Sequence, residues 1–292
     1  MGFDVQITRF VLEAYNGGVD FSAVATLGRQ NLNITRQSYA AEAKRYGLDS
    51  STNGVDHVFS SAPYVDALLT LLGGQTISSV DASTYEHATD LHDMNNELPA
   101  ALHDRFSLLI DGGTIEHVFD FPQAIRNVGK MLKVGGHFLS INGANNFTGH
   151  GFYQFSPELF FRVFSPENGF EVESMILTEV NDDGVWYEVT DPKVAGCRVQ
   201  LVNNGRTYLM MRARKISECE MFETTPQQSD YQLAAWNDEA ISGNFDFMKR
   251  PWHQKFVEDH FPRKGRSFMR RVVQASRNHF KSPHLIRTRT FD

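Results

Sequence analysis

The stretch that most constrains the fold runs from Phe106 to Asn142 and reads as strand, turn, helix, turn, strand. It opens with a short apolar run that stops at Asp111. The segment that follows has apolar residues at the i, i+3, i+4, i+7 spacing of one buried helical face, namely Phe121, Ala124, Ile125, Val128, Met131 and Leu132. His137 to Ile141 then forms a second strand. Two strands joined by a helix predict a βαβ unit with parallel strands.

The predicted helix carries signals for its own end. Lys133 is expected in the last turn, where a cation suits the negative end of the helix dipole. Gly135 and Gly136 follow, and glycine readily takes the left-handed conformation that closes many helices. We therefore place the end of the helix at this glycine pair.

The turn after the first strand of this unit is a candidate site, because open α/β sheets bind ligands at the carboxyl ends of their strands. It carries Asp111, Gly112, Thr114, Glu116 and His117. Glycine lets a backbone approach a ligand closely, and a carboxylate beside it can accept hydrogen bonds from hydroxyls or an ammonium. The alternative is a polar strand-to-helix turn with an N-cap.

Two strands that precede the unit also end at candidate residues. Phe21 to Leu27 is a compact apolar run typical of a buried strand, and Gly28 follows it. Only one glycine is present, so this turn fails as the G-x-G-x-x-G fingerprint of a dinucleotide-binding enzyme. Thr76 to Val80 ends at Asp81, whose carboxylate suits the two hydroxyls of a ribose, although a helix N-cap is the alternative.

The third strand, Ala88 to Asp93, extends this edge. Asp93 could accept a hydrogen bond from an exocyclic amine and Met94 could pack on a flat base, but both residues are also ordinary in turns.

The loop Gly143 to Gln154 follows the fifth strand and is rich in glycine and aromatic residues. Ser156 and Pro157 then make a good helix start, as N-cap and first helical residue.

The last two predicted strands are Phe170 to Val180 and Thr207 to Ile216. Between them, Asn181 to Asn204 is interpreted as an irregular insertion. Because no helix intervenes, we expect the two strands to be antiparallel.

The composition is that of an ordinary globular protein, with 41% hydrophobic and 22% charged residues. No apolar run approaches the roughly 18 residues of a membrane span, and the N-terminus lacks a basic segment followed by an apolar run. Cys197 and Cys219 make no disulfide framework, and no Cys or His spacing indicates zinc. We therefore expect a cytoplasmic protein without a bound metal.

Charge is unevenly spread along the chain. The net charge is −7, yet Ile241 to Asp292 holds 12 Lys and Arg against four Asp and Glu. Within it, Arg266 to Phe280 has helical spacing, and we expect this helix to pack on the acidic core of its own chain or of a partner subunit in a homo-oligomer. The alternative is a basic face that steers an anionic acceptor, such as a phosphorylated sugar or nucleic acid. We favour the structural role and so expect no nucleic-acid partner.

Together these features resemble the class I S-adenosylmethionine-dependent methyltransferases. The strongest match is the segment IDGGTIEHVFDFPQAIRNVGKMLKVGGHFLSIN. It is similar to a pattern of this family in which an acidic residue is followed by Glu-His and then by a helix that ends in Leu-Lys-Pro-Gly-Gly. Val134 stands where proline is usual, and Leu27-Gly28-Arg29-Gln30 is a degenerate first glycine motif. The resemblance covers about Phe21 to Ile216.

The resemblance implies an α/β fold, a Rossmann-like, doubly wound, mostly parallel sheet of seven strands in the order 3-2-1-4-5-7-6. The domain division it suggests is an N-terminal helix over residues 1–20, a methyltransferase-like domain over 21–216 with insertions near 31–61 and 181–204, and a basic C-terminal extension over 217–292. S-adenosylmethionine is the implied cofactor. The residues implied to bind it are Gly28 at its methionine part, Asp81 at the ribose, Asp93 and Met94 near the adenine, and Asp111 and Gly112 along the cofactor. Arg29 could meet the methionine carboxylate in place of the missing glycines.

Methyl transfer from a sulfonium is an in-line displacement, in which positioning supplies much of the acceleration. A hydroxyl acceptor also needs a base of near-neutral pKa, which points to His150, with His117 as the alternative. The predicted substrate contacts are Tyr153, Gln154 and Glu116. The hypothesis is methyl transfer to oxygen or nitrogen of a small-molecule or glycan-type acceptor. The alternatives are a non-catalytic methyltransferase-like binding protein and an interaction protein with a basic tail.

Overall fold

The structure is a computed structural model that describes residues 2–180, 185–196, 198–199, 201–231 and, as backbone, 285–290. Its strands are β1 (Gly2–Phe3), β2 (Ala23–Leu27), β3 (Asn31–Leu32), β4 (Thr76–Asp81), β5 (Asp90–Leu91), β6 (Phe106–Asp111), β7 (Leu132–Asn145), β8 (Phe170–Glu179), β9 (Val185–Val189), β10 (Thr207–Lys215) and β11 (Leu285–Thr290). Its α-helices are α1 (Val5–Asn16), α2 (Arg36–Arg45), α3 (Thr52–Val58), α4 (Asp66–Leu71), α5 (Phe121–Met131), α6 (Pro157–Val163) and α7 (Pro192–Ala195).

One sheet organises these elements, in the order β11-β9-β8-β10-β7-β6-β2-β4-β5. The neighbours from β5 to β7 are parallel, whereas β10 is antiparallel to both β7 and β8. The predicted strands one to seven are therefore β2, β4, β5, β6, β7, β8 and β10, and they lie in the order 3-2-1-4-5-7-6. The count of seven was wrong, because β9 and β11 extend the sheet beyond β8.

The sheet is buried on both faces, which explains the near-continuous apolar runs of its central strands. Successive side chains point to opposite faces. Leu109 and Phe138 pack with α5 and α6, whereas Leu108 and Leu139 pack with α1, α2, α3 and α4. Helix α1 thus belongs to one of the two helical layers that cover the faces of the sheet.

Helix α5 ends earlier than its sequence signals indicated. Its last residue is Met131, and Leu132 is already extended and begins β7. The backbone N–H groups of Asp104 and Arg105 donate to the carbonyls of Lys130 and Met131, at 2.9 and 3.0 Å, so the helix end is closed by another segment. Gly135 does have a positive φ of 88°, but it lies inside β7 and Lys133 lies beyond the helix.

The predicted insertions also contain regular structure. Residues 31–61 fold into β3, α2 and α3, and residues 181–204 include β9 and α7. The interpretation of the second insertion as irregular was wrong, because Val-Trp-Tyr-Glu-Val alternates and buries Trp186 completely. Strand β11 of the basic extension pairs antiparallel with β9, whereas the predicted helix from Arg266 to Phe280 lies outside the described residues.

In the described ranges, no helix has both the length and the apolar character needed to cross a membrane.

Candidate functional site

The candidate site lies at the carboxyl edge of the parallel strands. Because β2, β4, β5 and β6 run parallel, the residues that follow them share one edge of the sheet. The structure therefore places the predicted residues Gly28, Asp81, Asp93 and Asp111 along this edge. The backbone N–H of Gly28 donates to the carbonyl of Val80 at 2.8 Å, which ties the first two turns together.

The turn after β2 requires glycine. Gly28 has a φ of 67°, and a Cβ there would lie 2.8 Å from Oγ1 of Thr114. That hydroxyl donates to the carbonyl of Leu27 at 2.7 Å. The turns after β2 and β6 are consequently packed directly on each other.

Gln30 fills the space between these two turns, and sequence reasoning missed it as a site residue. Its side chain is 2% exposed, and Nε2 donates to the carbonyl of Leu27 at 2.8 Å. A Cβ on Gly112 would lie 2.6 Å from Oε1 of Gln30, so Gly112 permits this close approach. Among the residues that the structure describes, nothing donates a hydrogen bond to this buried Oε1.

Arg29, expected near a methionine carboxylate, is engaged within the chain. Its Nη2 lies 3.0 Å from Oδ1 of Asp66, and its guanidinium stacks 4.3 Å from the ring centre of Tyr64. The side chain is only 16% exposed. Arg29 therefore packs α4 against the turn after β2.

Asp111 is completely buried and is satisfied by its own surroundings. Oδ1 accepts from the backbone N–H groups of Thr114 and Ile115, at 2.8 and 3.3 Å. Oδ2 accepts from Asn142 Nδ2 at 2.7 Å and from Ser140 Oγ at 3.2 Å. Burial raises the pKa of this carboxyl, and the four donors act against that rise. Asp111 shapes the turn after β6, and Ser140 and Asn142 are partners that sequence reasoning missed.

Asp81 and Asp93 are more open to solvent. Asp81 is half-buried, and its Oδ1 accepts from the N–H and the hydroxyl of Ser83, at 2.9 and 3.3 Å. Asp93 is exposed, and hydrogen bonds from the backbone and side chain of Asn95 lower its pKa. Met94 is 5% exposed and belongs to the core, so its side chain is not offered to a ligand in the predicted way.

Asn127 holds the loop that carries Asp93, a role that sequence reasoning missed. Its Nδ2 donates to the carbonyls of Met94 and Asn96, at 3.2 and 2.8 Å. Asn127 lies on α5 and is completely buried. The loop from Asp93 to Asn96 is thereby anchored on α5, the helix that follows the β6 turn.

Glu116, His117 and His150 form a cluster beside this edge. Their ligand-type atoms all lie within 4.8 Å of one another. Nε2 of His150 is 3.5 Å from Oε1 of Glu116, and the two imidazole rings meet edge to face with centres 4.8 Å apart. Glu116 lies beneath, completely buried, whereas His117 is exposed and the His150 side chain is 37% exposed.

The electrostatics of the cluster follow from this burial. Desolvation, with the nearby Asp111 charge, raises the pKa of Glu116 to about 8. Burial, with the neighbouring His150, lowers the pKa of His117. Within the described part of the chain, neither carboxylate oxygen of Glu116 has a hydrogen-bond partner. A buried carboxyl group without donors is uncommon and requires an explanation, and strongly shifted pKa values cluster at functional sites.

The loop after β7 brings His150 to Glu116. The backbone carbonyl of Glu116 accepts from the N–H groups of Phe152 and Tyr153, at 2.8 and 3.2 Å. The predicted substrate contacts Tyr153 and Gln154 hold this loop, since Tyr153 Oη donates to the Phe119 carbonyl at 2.6 Å and Gln154 Oε1 accepts from the Phe147 N–H at 2.9 Å. Both side chains thus have local structural partners.

Two exposed aromatic rings flank the cluster and were missed as site residues. Phe119 is 72% and Phe152 is 68% exposed, and their rings meet edge to face at 5.8 Å. Each follows a cluster residue closely in the chain. Exposed large apolar side chains at a rim of polar groups often bind a ligand.

No protein-family model matches this chain, and no curated protein sequence matches it. Solved structures that align with this chain include the 1,6-didemethyltoxoflavin-N1-methyltransferase of Burkholderia thailandensis, with S-adenosylhomocysteine bound, at 15% identity and a TM-score of 0.38 over 73% of this chain and 78% of that one. The YcgJ protein of Bacillus subtilis aligns at 12% identity and a TM-score of 0.37, over 72% of this chain and 99% of that one. An S-adenosylmethionine-dependent methyltransferase of Mesorhizobium loti aligns at 15% identity and a TM-score of 0.35, over 72% and 97%. Similarity at this level assigns the chain to no family and leaves its function to be inferred from its own residues.

Proposed function

We propose that this protein transfers a methyl group from S-adenosylmethionine to oxygen or nitrogen of a small-molecule or glycan-type acceptor. The observation that carries the proposal is the strand order 3-2-1-4-5-7-6, with Gly28, Asp81 and Asp93 following its first three strands. These are the positions that the resemblance to class I methyltransferases implies for cofactor binding.

The residues at this edge fit such a cofactor. Both bonds from Ser83 end on Oδ1 of Asp81, so Oδ2 can accept from a ribose hydroxyl. The buried Oε1 of Gln30 can accept from the ammonium of a methionine moiety, which supplies the missing donor. Gly28 and Gly112 let the turns after β2 and β6 pack closely around Gln30, on the same edge of the sheet as Asp81.

When bound, the cofactor supplies an electrophilic methyl group on a sulfonium. The chain must then hold the acceptor in line and take up its proton. His150 is the proposed base and His117 the alternative, since both imidazoles lie beside the β6 turn. Phe119 and Phe152 offer an apolar surface on which a ring of the acceptor can stack.

Calorimetry with S-adenosylmethionine and S-adenosylhomocysteine tests the cofactor assignment. Asp81→Ala should weaken binding by about 1–3 kcal/mol, because ribose hydroxyls lose a charged partner. Asp56→Ala is the matched control, since Asp56 is an exposed carboxylate on α3 paired with Arg36. Unchanged affinity in a folded Asp81→Ala protein would remove Asp81 from the site.

A rate assay tests the base. His150→Ala should keep cofactor affinity and lose about 10²–10⁴ in the rate of S-adenosylhomocysteine formation with a working acceptor. A variant with full rate would move the role to His117 or to positioning alone.

The second candidate is a binding protein that keeps the fold without turnover. The ion pair of Arg29 with Asp66 favours it, because this arginine occupies the turn where several glycines are usual. Turnover in a protein that binds the cofactor excludes this alternative. An interaction protein with a basic tail is the third, and cofactor binding separates it from the first two.

A further inference from the structure

We propose that Glu116, His117 and His150 bind a divalent transition-metal cation such as Zn²⁺. The inference goes beyond methyl transfer and does not depend on it. Two imidazoles and one carboxylate are the nitrogen and oxygen ligands that this class of cation prefers. The sequence did not predict the site, because the ligands come from two loops with no recognisable metal-ligand spacing.

The geometry is close to that of a bound site. Ligand atoms bonded at about 2.1 Å to one cation lie roughly 3–3.5 Å from each other. Nε2 of His150 and Oε1 of Glu116 already lie 3.5 Å apart, and all three ligand atoms lie within 4.8 Å of one another. Small changes of side-chain rotamer are enough to converge them on one point.

The second observation is the unpartnered state of the ligand atoms. Glu116 is 0% exposed, and for both of its oxygens and for Nε2 of His150 no hydrogen-bond partner exists among the described residues. A buried carboxylate that lacks donors is strongly unfavourable unless a cation or a proton neutralises it. A cation at this point would contact all of these atoms at once.

The surrounding chain is built to hold the two loops together. Gly151 has a φ of 68°, and a Cβ there would lie 2.8 Å from the carbonyl oxygen of Glu116. The hydrogen bonds from Phe152 and Tyr153 to the same carbonyl fix the loop on the β6 turn. The exposed side of the cluster, where His117 lies, leaves room for water or substrate as further ligands.

A bound cation would change the catalytic role of His150. A histidine nitrogen bound to a cation cannot accept a proton, so in the metal-bound protein His150 acts as a ligand. A Lewis acid at this position could instead polarise an oxygen of the acceptor.

Titration of the full-length, EDTA-treated protein with Co²⁺ and Zn²⁺ tests the site. We expect one ion per chain, with visible Co²⁺ absorption that reports imidazole coordination. Glu116→Gln and His150→Ala should each lower the affinity at least about tenfold. His57→Ala is the matched control, because His57 is an exposed histidine on α3. Melting curves verify that each variant is folded.

A crystal soaked in Zn²⁺ tests the wild-type chain without any variant. An anomalous peak between the three side chains supports the site. Absence of a one-to-one ion, a peak elsewhere, or equal affinity in both ligand variants overturns it. S-adenosylmethionine affinity measured in the same samples keeps the two proposals apart, since either ligand can bind while the other fails.

Discussion

Asp111 and Glu116 are both completely buried carboxyl groups, Asp111 at the end of β6 and Glu116 in the turn that follows it. Asp111 accepts four hydrogen bonds from two backbone N–H groups and two side chains. Glu116 accepts none with its carboxylate from the part of the chain that the structure describes. Burial raises the pKa of both groups, but four hydrogen bonds from other residues oppose the rise at Asp111, whereas the nearby Asp111 charge adds to the rise at Glu116.

The difference distinguishes Asp111, whose hydrogen bonds give it a structural role, from Glu116, for which we propose a functional one. The four hydrogen bonds to Asp111 compensate the free-energy cost of burying its carboxylate, so its surroundings explain its presence. No described residue makes a hydrogen bond of good geometry to the Glu116 carboxyl oxygens, although Nε2 of His150 lies 3.5 Å from Oε1. A buried carboxyl group that the described residues leave without a donor must be neutralised by a proton or by a cation.

The largest expected effect is a loss of stability on removing Asp111, the carboxylate whose oxygens are all hydrogen-bonded. Asp111→Ala should lower the free energy of unfolding by about 5 kcal/mol, since each stranded buried group costs about 1–3 kcal/mol. Its Ser140 and Asn142 partners would lose their acceptor inside the sheet. Urea denaturation measures the change. Glu97→Ala, which removes an exposed carboxylate, is the control and should change stability by less than about 0.5 kcal/mol.

Much of this region was predictable because it depends on local pattern. The βαβ unit, its parallel strands and the edge residues Gly28, Asp81 and Asp111 followed from apolar periodicity and turn chemistry. Ser140 and Asn142 also left a signal, as polar residues at alternate positions of an apolar strand. Their partner could not be identified, because strand pairing across the sheet decides it.

The remaining features depend on tertiary contacts. The position of Gln30 between two turns follows from the close approach of Gly112, which no local pattern encodes. The meeting of His150 with Glu116 follows from a loop that returns to the β6 turn. Helix α5 ended early because Asp104 and Arg105 cap it from another segment, so its glycine signal was misleading.

The second effect is somewhat smaller and is a change of stability with pH, caused by Glu116 in the metal-free protein. The folded pKa of Glu116, about 8, lies above its ordinary value of 4.5. The folded state therefore holds this proton more tightly, and the resulting stability is present below pH 4.5 and lost as pH rises through about 8. Between pH 5 and 8 the wild type should lose on the order of 3 kcal/mol relative to Glu116→Gln.

Urea denaturation in EDTA across this pH range measures that difference. The comparison with Glu116→Gln cancels the opposite trend of His117, whose lowered pKa makes stability rise with pH up to about 6.5 in both proteins. Parallel pH profiles for the two proteins would show that Glu116 has a donor in solution. Added Zn²⁺ should restore stability at pH 8 in the wild type only.

The smallest effect is expected in the loop after β7, where a substitution tests whether this loop is needed to bring Glu116, His117 and His150 together. Gly151→Ala should cost about 2 kcal/mol, because alanine is strained at a φ of 68° and its Cβ would lie 2.8 Å from the Glu116 carbonyl oxygen. The loop can relieve this contact only by moving away, which separates His150 from Glu116. We therefore expect weaker Co²⁺ binding together with the stability loss. Gly149→Ala is the control in the same loop, since its Cβ would meet nothing within 4 Å. If Gly151→Ala binds Co²⁺ as tightly as Gly149→Ala does, contact between this loop and the β6 turn is not what brings the ligands together.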